Sequence, residues 1–392
     1  MRLLHTSDWH LGRGLHGLDL HDAQAQAVRS IIEAVDAHDV EVVVIAGDVF
    51  DRAVPPVSAV RLWGHALREL ADRVPVIVTS GNHDSAVRLG AGADLYRAGV
   101  HVSTDAASVG TPVILGDQHG PVAFYPIPFL DPDIARHVLT DGDEPVARSH
   151  ASVLGAALDR VRADLERRRA DASHVRSVVV AHAFVTAGQA PETSDSERDI
   201  RVGGVNNVPL SVFDGIDYVA LGHLHGAQRL DGDRVRYSGS PLRYSFSEVH
   251  QRKQVLLVDL DAEGVSNVES LELEQPRAMA VVRGTLVDVL LSAAAGGHAD
   301  DWVQVTITDP ERPPNLRDRL LEAFPHLLSM RHEPSSGPLA STLSPDVRVP
   351  SAPQEVAAAF VHYVTGGQIS DAELRAFTEA FEFANSQETA DV

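Results

Sequence analysis

Eight side chains of the kinds that hold divalent cations fall into five short clusters. They are Asp8 and His10 in SDWH, Asp48 in AGDVFD, Asn82 and His83 in SGNHD, His182 in VAHA, and His223 and His225 in LGHLH. A donor set of carboxylates, an amide oxygen and imidazoles, with no sulfur, suits Mn²⁺, Fe²⁺ or Zn²⁺ better than Ca²⁺. Asp8 and His10 are two positions apart, so in extended chain both point to one side, and the same holds for His223 and His225. Asp48 ends the most apolar run and is the expected bridge between two cations, and Asn82 offers a neutral oxygen. Paired cations supply Lewis acidity and a nucleophile at neutral pH for in-line attack on a phosphoryl group. His83 is the expected general acid for the leaving alkoxide, with Asp84 to orient it. A direct bond from His83 to metal is the other role open to that ring. Trp9 and Phe50 stand between ligands and read as packing rather than as stacking platforms. His16, His65, His137, His174 and His298 follow no ligand spacing.

Each cluster follows an apolar, strand-like run, at residues 2–6, 40–46, 74–80, 176–181 and 216–221. These runs gather the donors along one edge of a sheet. In the first third they alternate with amphipathic helices over residues 22–37 and 57–72, the second entered through Pro55 and Pro56. The alternation predicts a layered α/β core with ligands at the carboxyl ends of its strands. Short strands are expected over 110–129, and a strongly charged helix over 149–170. Residues 186–207 show no period and lie between two ligand clusters, so they should overhang the site, as a functional loop or as plain connecting chain. After Pro276 the pattern β-α-β-α-β marks a small α+β unit. Residues 336–353 are rich in Pro and Ser and read as a linker. Two short helices follow, over 354–364 and 371–385, the second opened by a capping box of Ser370 and Glu373. Their aromatics, Phe360, Tyr363, Phe377, Phe381 and Phe383, either pack on the parent domain or dock another chain.

The chain has no cysteine among its 392 residues, which removes disulfides and thiolate chemistry and fits a reducing, cytoplasmic compartment. No apolar run approaches the roughly 20 residues of a membrane span. The net charge of −22 argues against a general nucleic-acid binder. A nuclease stays compatible with it if cations neutralise the centre and a partner adds positive surface. Lys253 is the only lysine and has no glycine-rich turn before it, so this chain binds no ATP through a phosphate-binding loop.

The clusters D-x-H, GD, GNHD, H and GHxH resemble the calcineurin-like metallophosphoesterase signature. Within it, MRLLHTSDWHLGR, AGDVFDRAVPP, GNHDS, YVALGHLHGAQ and YSGSPLRYSFSE resemble the SbcD-type nuclease subunits of bacterial SbcCD complexes. The likeness covers about residues 1–275. It implies two packed β-sheets flanked by helices, with a capping domain at 276–335, a linker at 336–353 and a helical ATPase-docking segment at 354–386. It also implies Mn²⁺-dependent DNA cleavage, 3′-to-5′ on duplex ends and endonucleolytic on hairpins or single strands, in repair, recombination and replication. One cation would be held by Asp8, His10, Asp48 and His225, the other by Asp48, Asn82, His182 and His223. His83 matches the histidine that protonates the leaving oxygen. Asp51 stands where archaeal and eukaryotic relatives have a second catalytic histidine, which leaves its role open. The implied partners are DNA, a long coiled-coil ATPase of the SbcC type and a second copy of the chain, with the helix after Pro56 as a candidate dimer face. Arg13, Arg52, Arg88, Arg198, Arg201 and Arg243 are placed to contact DNA phosphates. The competing expectation is another calcineurin-like phosphodiesterase or phosphatase acting on small phosphoesters.

Overall fold

The computed structural model describes residues 1–171, 174–187, 192–197, 208–334, 361, 370 and 372–378. They fall into two compact units, Met1–Glu333 and Pro334–Val392.

The first unit is built on two six-stranded sheets. The first sheet runs Val265–Glu272, Gln254–Leu260, Arg2–Thr6, Val42–Ala46, Val76–Thr79, Val100–Ser103, and its last four strands are parallel. The second runs Gln228–Asp231, Val235–Tyr237, Tyr218–Gly222, Arg176–His182, Gly120–Ile127, Val113–Asp117, parallel through its centre. The alternation of side chains along a strand explains the layers. Val42, Val44 and Ala46 point into the shared core between the sheets, where they meet Val178, Val180 and Ala220. Val43 and Ile45 point the other way, onto the helices His21–Ala37 and Val57–Ala71. The helix His150–Asp171 covers the outer face of the second sheet through Val153, Leu154, Ala157, Leu158, Val161 and Leu165. The result is a four-layer α-β-β-α sandwich.

The order corrects one expectation. The donors do not line up along a single sheet. The strands ending at Thr6, Ala46 and Thr79 belong to the first sheet, and those ending at His182 and Gly222 to the second. Two sheets each buried on both faces carry the same near-continuous apolar runs, so the runs alone do not reveal which sheet owns which strand. The sheets close tightly at this end, where a Cβ on Gly222 would collide with the carbonyl oxygen of Ala46.

Beyond residue 275, three parallel strands, Met279–Gly284, Trp302–Ile307 and Leu327–His332, alternate with helices Leu286–Ala294 and Leu316–Ala323. Val289, Val303, Val305, Leu320 and Phe324 form their own small core. Met279 and Trp302 instead pack with Leu15, Leu20 and Tyr244 of the sandwich. In the second unit the expected reciprocal cap is present: the Ser370 amide donates to Glu373 Oε2 at 2.8 Å and the Glu373 amide to Ser370 Oγ at 3.3 Å. The 336–353 linker and most of the 354–386 segment lie outside the described residues. Among the described residues no helix is long and apolar enough to cross a membrane.

Candidate metal centre

Each cluster lies at or just past the carboxyl end of its strand, and the loops are stitched together there. The Asp8 amide donates to Gly47 O at 3.1 Å, and the His10 amide to Asp48 O at 3.0 Å. Asp8, His10, Asp48 and His223 have φ of 55°, 44°, 50° and 114°. Left-handed backbone at four non-glycine residues of one site costs on the order of 1–3 kcal/mol each and persists where the surroundings enforce it.

The side chains converge. His10 Nε2 stands 2.9 Å from His225 Nε2. Asn82 Oδ1 stands 2.9 Å from His182 Nε2 and 3.1 Å from His223 Nδ1. Asp48 Oδ2 lies between these groups, 3.6 Å from His10 Nε2 and 3.4 Å from His182 Nε2. Donor atoms of Asp8, His10 and His225, of Asp8, Asp48 and His182, and of His10, Asp48 and His83 each fall within 4.8 Å of one another. Asp8, His10, Asp48, His182, His223 and His225 are all buried.

Held apart from solvent, the group is electrostatically tense. Burial pushes Asp8 up to about 7, with the Asp48 charge adding to it and His182 opposing it. Against burial, the Asp48 and Asp8 carboxylates hold His182 up to about 9. Despite burial, Asp48 itself sits well below the usual carboxylate range, because His182, His10 and His83 surround it. Burial keeps His10, His223 and His225 low, His223 at about 3, so these rings are neutral and their lone pairs free for a cation.

The donor set fits a pair of divalent cations. Nitrogens each about 2.1 Å from a shared cation stand about 3 Å apart when their bonds meet at a right angle. The His10–His225 and His182–Asn82 separations match that spacing. Among the described residues His10 Nδ1 has no hydrogen-bond partner, with Asp51 Oδ1 4.0 Å away. The rings of His182 and His225 are held from behind, His182 Nδ1 on Ala46 O at 3.0 Å and His225 Nδ1 on Glu248 at 3.0 Å. Metal-binding histidines are oriented in this way. A Cβ on Gly81 would occupy the space of the Asp48 carboxylate.

One expected role is corrected. The Asp84 carboxylate does not orient His83. It accepts from the backbone amides of Phe50 at 2.9 Å, Gly81 at 2.9 Å and Val49 at 3.1 Å, and so locks two ligand loops together. The His83 ring is oriented instead through Nδ1 by Asp51 O at 2.7 Å, and its amide donates to Asp48 Oδ1 at 2.8 Å. A carboxylate next in sequence is an obvious partner, but the tight turn directs it back onto its own backbone. Trp9 and Phe50 are buried and pack edge-on against Trp63.

The proposed phosphate-binding arginines divide. Arg13 lies over the Tyr244 ring, donates to Ser196 O at 2.8 Å and stands 3.5 Å from Asp51. Arg52 is exposed, 3.8 Å from Asp51, and Arg88 donates to Ala53 O at 2.9 Å. Arg243 directs two donors to Gln251 O, at 2.9 and 3.1 Å. Arg198 and Arg201 lie outside the described residues.

Sequence reasoning missed the residues behind the ligands. Gln24 Nε2 donates to His10 O at 2.9 Å, and Ser7 stands between Asp8 and Ser238. Ser196 Oγ reaches His225 Nδ1 at 2.7 Å, and Glu197 accepts from the His225 amide at 2.8 Å. Glu248 and Lys253 form a buried ion pair at 2.7 Å. Two signals were in the sequence: Lys253 is the sole lysine, and Ser238 and Glu248, given no role there, lie in the run YSGSPLRYSFSE.

Comparison with known proteins agrees with this geometry. The calcineurin-like phosphoesterase family model matches residues 1–227. The SbcD C-terminal model, the type 5 capsule protein repressor C-terminal domain, matches residues 275–362. Two solved structures are similar at a low level. TT1561 of Thermus thermophilus is 15% identical with a TM-score of 0.41, covering 70% of this chain and 99% of that one. GAP50, the anchor in the inner membrane complex of Plasmodium, is 12% identical with a TM-score of 0.35, covering 86% and 98%. At these scores neither bears on the chemistry. With residues 1–227 of 392 matched, the chain belongs to the calcineurin-like phosphoesterases, a family of metal-dependent hydrolases, and carries an SbcD-type C-terminal domain.

Proposed function

We propose that this chain is the DNA-cleaving subunit of an SbcCD-type complex, with two divalent cations, Mn²⁺ by preference, as its cofactors. The observation that carries the chemistry is the position of Asp48 Oδ2, within 3.6 Å of His10 Nε2 and 3.4 Å of His182 Nε2. In this reading Asp8, His10, Asp48 and His225 hold one cation, and Asp48, Asn82, His182 and His223 hold the other. Bound cations supply Lewis acidity and a nucleophile at neutral pH. The protein's part is to fix the donors, neutralise phosphate charge and return a proton. His83 donates that proton to the leaving oxygen, its ring held by Asp51 O. Arg13, Arg52 and Arg88 steady the DNA backbone without reading its sequence.

The match of residues 275–362 to the SbcD C-terminal domain supports DNA, rather than a small phosphoester, as substrate. The unit at 276–335 acts as a cap that positions DNA, and the segment at 354–386 docks a coiled-coil ATPase. The chain's charge of −22 makes such a partner the source of further positive surface. End-labelled duplex and hairpin DNA, incubated with Mn²⁺ with and without the ATPase, test the proposal against a small phosphodiester. Turnover of the small ester with no cleavage of either DNA would refute it.

A further inference from the structure

The outer face of His225 is more fully bonded than that of any other ring in the centre. Its amide donates to Glu197 Oε1 at 2.8 Å, and its carbonyl accepts from Lys253 Nζ at 2.9 Å and from the Ser240 amide at 3.1 Å. Its Nδ1 meets Glu248 Oε1 at 3.0 Å and Ser196 Oγ at 2.7 Å. Only Nε2 faces inward.

These partners fix the tautomer. Glu248 Oε1 receives the hydroxyls of Ser194, at 2.7 Å, and of Ser196. A Ser196 hydroxyl that donates to Glu248 has only lone pairs left for the ring. Both neighbours of Nδ1 are then acceptors, so Nδ1 carries the proton and Nε2 presents a lone pair to the centre. Glu248 Oε2 faces Lys253 Nζ at 2.7 Å and the Tyr244 amide at 3.1 Å. Lys253 also donates to Ser240 Oγ at 2.9 Å and Gln251 Oε1 at 2.8 Å. Both charged side chains are buried, at 0% and 1% exposure. An enclosed carboxylate is costly without a counter-ion and a full set of donors, and this one has both.

We propose that Glu248, with Lys253 as its counter-ion, is the positioning residue that turns His225 Nε2 toward one cation of the pair and ties residues 192–197 to that same ligand. It touches neither substrate nor cation and acts through His225. His10, a proposed ligand of the same cation, gives the contrast: among the described residues its Nδ1 has no hydrogen-bond partner, and the nearest carboxylate, Asp51 Oδ1, lies 4.0 Å away. The half of the centre containing His225 therefore depends on a residue 23 positions away in sequence. Removing such an outer partner weakens metal affinity by roughly 10–100-fold.

The inference rests on the dinuclear reading, and the test separates the two. The full-length wild-type protein is titrated with Co²⁺ and followed by visible absorption; two binding steps support the dinuclear reading itself. Glu248→Gln keeps the side-chain shape but removes the charge. It is expected to weaken one Co²⁺ step by about 10–100-fold and to alter that step's absorption band, leaving the other step unchanged. Two unchanged steps with unchanged spectra would overturn the proposal, and so would equal weakening of both. Ser240→Ala is the second variant, because it removes one Lys253 partner and leaves the Ser240 amide on His225 O. It should bind Co²⁺ as the wild type does. Loss of the same step in that variant would show that any damage near Lys253 suffices, and would also overturn the proposal.

Discussion

Asp48→Asn is the most informative single change. Asp48 sits at φ 50°, which asparagine adopts readily, so the backbone accepts the substitution. The amide oxygen also still accepts from the His83 amide, now at 2.8 Å. What goes is the negative charge on the oxygen 3.4 Å from His182 and 3.6 Å from His10. Among the proposed ligands only Asp8 then stays anionic, facing two dications. A carboxylate lost from both coordination sets removes several kcal/mol of charge stabilisation, and about 4 kcal/mol corresponds to roughly a thousandfold in rate. We expect kcat on Mn²⁺-supported substrates to fall by at least about 10³, and bound metal to drop from two ions per chain to one or fewer. Elemental analysis after Mn²⁺ loading, with calorimetric titration, reads the second quantity independently of turnover. Two ions bound at wild-type affinity in Asp48→Asn would falsify the shared-ligand argument, whatever the rate.

His83→Ala should retain two metals and DNA affinity while losing about 10²–10⁴ in kcat, and single-turnover rates that match wild type would remove it as the acid. Asp117 is 5% exposed and paired at 3.0 Å with the fully buried Arg176. Burial opposes its ionisation, yet Arg176 holds the carboxyl well below the usual range. A depressed carboxyl contributes stability that is present above its unfolded value near 3.9 and is lost as pH falls toward the folded value. Asp117→Asn should therefore cost about 3–5 kcal/mol at neutral pH and flatten the acid limb of the wild-type unfolding curve, as read by denaturant titration. Gly222→Ala forces a methyl against Ala46 O, so thermal unfolding should come earlier and Mn²⁺ should bind more weakly; an unchanged midpoint would mean the sheets are not closed there. Removing residues 354–392 should leave metal stoichiometry intact and abolish capture of the coiled-coil ATPase in a pull-down.

The legibility of the site followed from its physics. Strand runs such as VVVIA are apolar on both faces because both faces are buried, and the polar residue that ends each run therefore stood out. The helix from His21 to Ala37 was readable from Ala27, Ile31, Ala34 and Val35 on one side. Ownership of strands by sheet was not, since pairing Arg2–Thr6 with Gln254–Leu260 is a contact across most of the unit. Asp84 misled because adjacency in sequence suggested a partnership that the turn forbids. Glu248, which closes the run YSGSPLRYSFSE, was given no role, and Ser196 and Gln24 escaped notice, because outer partners carry no spacing rule. Their roles exist only once distant loops meet.

The division of the donors between two sheets has a consequence for synthesis. The opening strand cannot complete its pairing until Gln254–Leu260 has emerged, and two of the histidines arrive only with residues 223 and 225. A nascent chain shorter than 223 residues thus lacks two of the eight cation-binding side chains and the antiparallel neighbour of its first strand.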